Sequence, residues 1–157
     1  MKKSPLQLIF FTVGILYSAL STASNVDNII AEKQAPVGVV FEIVSGSPTL
    51  LNKLLPVVKS DILRLRKRFP GISIAIVTHG TEQFGLTIEN SKKQSVAHSI
   101  TKELVSSNDV NVHVCGTHAS WFDISPEDFP DYVDVTPAGP TQINDYEELG
   151  YELIVLP

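Results

Sequence analysis

The chain has 157 residues, with 12 basic and 17 acidic side chains and a formal charge of −5 at neutral pH. Such a length suits one ordinary domain, and the acidic balance argues against nucleic acid and anionic membrane as partners. The single cysteine excludes an internal disulfide, so stability must come from a packed core.

The N-terminus reads as an export leader. Met1-Lys2-Lys3 supplies a positive start, Leu6 to Leu20 is an apolar run, and Ser21-Thr22-Ala23 ends it with small residues. The run is short for a membrane span, and no cysteine stands nearby to carry a lipid. Cleavage is expected after Ala23, with the bacterial periplasm as destination and no membrane attachment afterwards. Removing those 23 of 157 residues leaves 134; Lys2 and Lys3 go too, so ten basic residues face seventeen acidic ones, a formal charge of −7.

Residues 24–36 are polar and read as a flexible lead-in to a domain over residues 37–157. Val37 to Val44 is a nearly continuous apolar run, the pattern of a strand buried on both faces. Ser47-Pro48 has the form of a helix start. Leu51, Leu55, Val58, Ile62 and Leu65 then recur at steps of four and three, the stripe of an amphipathic helix, with Pro56 as its expected kink. Arg64, Arg66, Lys67 and Arg68 fall in its last turn, where cations complement the helix dipole. A second strand runs from Ile72 to Thr78 and ends in His79-Gly80. Asn90 to Ser106 reads as a weaker helix, on whose surface His98 is expected. Val110 to Cys115 is a third strand. Ser125-Pro126-Glu127-Asp128 opens a short helix, Tyr132 to Val135 is a fourth strand, Thr141 to Leu149 a helix, and Tyr151 to Leu156 a fifth strand.

Strands alternating with helices define an α/β sandwich on a parallel sheet, whose ligands gather at the carboxyl ends of the strands. Two strands deliver chemistry there, through Thr78-His79-Gly80 and Cys115-Gly116-Thr117-His118. His113 and Cys115 stand two apart and therefore share a strand face. Three readings of Cys115 stay open at this level. It is a buried, inert residue; or a metal ligand with His113 and His118, and with His79 as a fourth, a set suited to copper or zinc; or a nucleophile activated by backbone N–H groups and a nearby imidazole. Trp121, Phe122 and Phe129 are candidates to wall a pocket or to pack the segment after the strand. No Gly-rich phosphate loop and no G-x-S-x-G elbow is present, so nucleotide and serine-hydrolase functions have no motif.

Three stretches together, IAIVTHG (Ile74–Gly80), VHVCGTHASWFDISPEDF (Val112–Phe129) and VDVTPAGPTQINDYEELGYELI (Val133–Ile154), resemble the DsrE/DsrF-like family of sulfur-relay proteins. The resemblance implies a three-layer α/β/α domain with a five-stranded, mostly parallel sheet, assembled as an oligomer. It also implies that Cys115, after the third strand, accepts sulfane sulfur as a persulfide. His79, Gly116, Thr117, His118 and His113 would be pocket neighbours, with neither a cofactor nor a resident metal. The expected function is that of an exported sulfur carrier or sulfurtransferase, a homo-oligomer working with periplasmic sulfur donor and acceptor proteins. The alternative is a non-catalytic module of the same fold that binds a small ligand or a metal.

Overall fold

The computed structural model describes residues 25–157, and the leader with its cleavage site lies outside them. The described chain begins with helix α1 (Asn25–Ala31). Five strands follow, β1 (Gly38–Ile43), β2 (Ser73–Thr78), β3 (Val110–Cys115), β4 (Asp134–Thr136) and β5 (Tyr151–Leu156). They form one sheet in the order β4-β3-β2-β1-β5, with every pairing parallel.

Helices cover both faces, which explains why β1 and β2 are apolar almost throughout. Val39, Phe41, Ile43, Ile74 and Ile76 turn to one side and pack under α1, α2 (Leu51–Arg68) and α3 (Ser95–Asn108). Val40, Ala75 and Val77 turn to the other side and meet Ile143 and Tyr146 of α5 (Gly139–Glu148). The stripe read from the sequence, Leu51, Leu55, Val58, Ile62 and Leu65, is the buried face of α2. Each such side chain contributes about 1.5–3 kcal/mol when fully buried, so these two layers carry most of the stability. A one-turn helix, α4 (Gly116–Ser120), begins directly after β3 at the carboxyl edge.

Several local expectations change. Residues 24–36 are not simply a loose lead-in, because α1 occupies Asn25–Ala31 and buries Val26 and Ile29 against the core. Val26, Ile29 and Ile30 stand at i, i+3 and i+4, but one turn of that pattern in a polar segment is too short to mark a helix. The basic run of α2 does more than complement its helix end. Arg64 pairs with Asp27 of α1 and with Asp61, and Arg68 donates from Nε to Ile30 O at 3.1 Å and from Nη2 to Glu32 O at 2.7 Å. Regular α2 starts at Leu51, the residues from Ser47 forming a turn closed by Leu50 N–H on Ser47 O. Pro56 sits inside the helix on its exposed side, where the carbonyl it leaves unpaired can be hydrated.

His98 is buried, not on the surface: its Nε2 lies 3.1 Å from Gly85 O and its Nδ1 2.6 Å from the Tyr132 hydroxyl. A carbonyl only accepts, so Nε2–H donates to Gly85 and the Tyr132 hydroxyl donates to Nδ1. At Ser125 there is only a 3₁₀ turn, Pro126–Asp128, in which the Asp128 carboxylate accepts from Ser125 N–H and Oγ.

Candidate functional site

Parallel pairing brings the ends of β1, β2 and β3 to one edge. Glu42 is registered against Val77, and Val77 against His113. With side chains alternating along each strand, Glu42, Val77 and His113 share the α5 face, as do His79 and Cys115, two residues further on. The α5 N-terminus closes over them at Gly139. A Cβ there would stand 2.5 Å from the His79 Cβ and 3.4 Å from the Cys115 Cβ, so only glycine allows this approach. No side chain caps α5, and its positive end therefore faces the Cys115–His79 row directly.

Cys115 is only 5 % exposed. Its backbone N–H donates to Gln83 Oε1 at 2.7 Å, and its Sγ accepts the His118 N–H at 3.4 Å. Gln83 itself is fully buried and its amide nitrogen has no partner, an unsatisfied donor on a side chain already bonded to Cys115. His79 Nε2 lies 2.7 Å from Glu42 Oε1, and the His79 carbonyl accepts from His118 Nδ1 at 2.6 Å. The His118 ring in turn packs among Phe84, Trp121 and Phe122. Trp121 is 73 % exposed and Phe122 is exposed as well, whereas Phe129 is buried in the core. Beside α4 an open groove of about 610 Å³ is lined by Gly116, Ala119, Ser120, Ile124 and Val135.

Beneath this edge the Glu82 carboxylate is fully buried. It accepts from Ser45 N–H at 2.6 Å, Thr78 Oγ at 2.5 Å and Gly80 N–H at 2.9 Å, tying the exits of β1 and β2 together. Gly80 is required by that knot, since a Cβ would fall 2.6 Å from Ser45 N.

The structure thus brings Cys115, His79 and His118 together, with Gly116 and Thr117 forming the start of α4. Thr117 turns aside to donate from N–H and Oγ to Pro137 O. His113 shares the face of Cys115 but is engaged deeper in the sheet, its Nε2 2.8 Å from the Tyr146 hydroxyl and its Nδ1 3.9 Å from Asp134. Burial holds the His113 imidazole below its ordinary value, with Asp134 opposing the shift. His113 and His118 point to different partners, and among the described residues no three His, Cys, Asp or Glu side chains form a group that could hold a metal ion. Glu42, Gln83 and Gly139 were not singled out from the sequence. The one usable signal was Glu42, a lone acid inside an otherwise apolar strand.

The sheet order and all-parallel pairing are those of a DsrE/DsrF-like fold. No protein-family model and no curated protein matches the chain. Among solved structures it is similar to MTH1491 of Methanobacterium thermoautotrophicum, a protein of unknown function, at 18 % identity and a TM-score of 0.58, over 75 % of this chain and 97 % of that one. It is also similar to the ychN protein of E. coli, at 14 % identity and a TM-score of 0.51, over 76 % of this chain and 99 % of that one. Both have the DsrE/DsrF-like fold, and at these identities the likeness establishes the fold alone.

Proposed function

We propose that this protein is an exported carrier of sulfane sulfur, with Cys115 as the residue that bears it. The observation that carries the reading is the setting of the thiol. It stands where β3 leaves the sheet, its sulfur accepts a backbone N–H from His118, and the uncapped α5 N-terminus closes over it. Those features favour an anionic sulfur. In the transfer, the Cys115 thiolate attacks the outer sulfur of a donor persulfide R–S–SH. The new S–S bond forms as the donor's breaks, Cys115 becomes Cys–S–SH, and R–S⁻ leaves; no external oxidant is needed. Periplasmic sulfur donors and acceptors, and assembly as a homo-oligomer, belong to the same proposal.

Incubation with polysulfide followed by intact-mass measurement tests it. Wild type should gain about 32 Da per sulfur as a persulfide, and Cys115→Ser should gain nothing. An unmodified wild type, or an equal adduct on the variant, overturns the reading. The 5 % exposure of Cys115 favours a second reading, a non-catalytic module of the same fold that binds a small ligand or a metal. Resistance of Cys115 to alkylation in the folded protein, with ligand or metal retained by Cys115→Ser, would support that module.

A further inference from the structure

We propose that Glu42 and His79 form the proton-handling pair of Cys115, a role that rests on the sulfur-carrier reading. Three adjacent strands each contribute one residue to a row beneath α5: Glu42 from β1, His79 at the end of β2 and Cys115 at the end of β3. A Cβ at Gly139 would contact the Cβ atoms of both His79 and Cys115, which makes the two neighbours under the α5 N-terminus, and the one hydrogen bond to Cys115 Sγ comes from His118 N–H. His79 and Glu42 are mostly buried, at 16 % and 19 % side-chain exposure, so their 2.7 Å contact is a shielded one. A carboxylate oxygen accepts, which makes Nε2–H the donor and leaves Nδ1 as the basic nitrogen of the neutral ring. Nδ1 has no hydrogen-bond partner among the described residues.

Other titratable groups near His79 are already committed. Glu82, from the turn after β2, is saturated by Ser45, Thr78 and Gly80, and His118 of α4 donates to the His79 carbonyl. His113 of β3 and Tyr146 of α5 bond each other deeper in the sheet, and Asp134 of β4 lies beside His113. At the contact itself α5 offers Gly139, with no side-chain charge, and its positive helix end, which favours the thiolate and opposes the imidazolium, so Glu42 is the group that holds the protonated ring. The thiol proton passes to His79 Nδ1, giving a thiolate and an imidazolium held by Glu42. Once the thiolate has taken the outer sulfur of R–S–SH, the imidazolium returns its proton to the departing R–S⁻. The balance is Cys–SH plus R–S–SH giving Cys–S–SH plus R–SH. His79 moves the proton and must reach the donor's leaving sulfur to return it, whereas Glu42 acts through His79 by positioning the ring.

The test follows thiolate absorbance against pH, with Cys115→Ser as baseline, in wild type, Glu42→Gln and His79→Asn. Each substitution should cut the thiolate fraction at neutral pH by about tenfold, moving the titration up by about one unit. The double variant should go no further than His79→Asn. Coincident titrations in folded variants overturn the proposal. A second measurement needs no change at the pair: the His79 ring is titrated by NMR in wild type and in Cys115→Ser. Loss of the thiolate should move the His79 titration to lower pH, since the negative partner of the imidazolium is gone, and an unmoved titration overturns the proposal. Coupling seen without a persulfide adduct leaves the pair standing and removes the sulfur-carrier reading. An adduct formed without coupling removes the pair alone.

Discussion

Glu82 shows how much one side chain can decide at the edge of a parallel sheet. Its buried carboxylate is offered three donors and accepts all three, so the exits of β1 and β2 are fixed relative to each other. Glu82→Gln keeps the shape but places an NH₂ group where at least one of those donors points. The expected cost is about 1–3 kcal/mol, the penalty of a buried polar group left unsatisfied, read as a lower midpoint in urea unfolding. A variant of unchanged midpoint would mean that the knot contributes nothing. Gln83 follows it in sequence and holds the Cys115 N–H, so the same turn sets both the strand ends and the backbone under the thiol. Neither residue could be assigned from the sequence, where TEQFGL has no periodicity and folds as a 3₁₀ turn.

Among the elements, α1 departs most from expectation. Val26 and Ile29 are buried in the core cluster with Ile30 packed against it, and Arg68 satisfies carbonyls at the C-terminal end of α1 that the helix itself leaves open. If α1 is part of the core, Ile29→Ala should lower stability by about 2–4 kcal/mol, the usual cost of removing a buried Ile side chain. Denaturant unfolding measures it, and a change near zero would return the segment to a loose lead-in. Asn52 of α2 plays a comparable part for α3, which has no side-chain cap of its own. Asn52 Oδ1 accepts the Ala97 N–H at 2.9 Å, so one helix finishes the first turn of the next. Caps of this kind come from residues 45 apart and leave no local sequence signature.

For the whole molecule, stability should depend on pH through buried histidines. Burial holds both His98 and His113 below the ordinary value of 6.5, with backbone hydrogen bonds opposing it at His98 and Asp134 opposing it at His113. A depressed histidine favours the native state while neutral. Its contribution is complete above pH 6.5 and is lost as pH falls, because the unfolded chain binds the proton first. Thermal midpoints should therefore be flat above that pH and decline below it, and His98→Gln should show a shallower decline. A wild-type midpoint that rises on acidification would contradict the assignment. The exposed pair Trp121 and Phe122 packs on the His118 ring beside the Cys115 edge.

Hydrophobic pattern alone determined the class of this protein. Apolar runs at β1 and β2, the four-three stripe of α2 and the final β5 could be read directly, because burial on a sheet or helix face imposes a period on neighbouring residues. The exit of β3 at Cys115 was legible for the same reason. Short elements were legible only in part: the fourth strand, expected at Tyr132–Val135, stands at Asp134–Thr136, the short helix expected at Ser125 is a 3₁₀ turn, and α4 was not read at all. The site shows the same division. Cys115, His79 and His118 were visible as reactive residue types at strand ends. Glu42 became a neighbour of His79, and Gly139 the roof over His79 and Cys115, only when parallel pairing and the α5 crossing brought residues from across the chain to one edge. Spacing along the chain carries no record of such distances, because they are set by how layers pack.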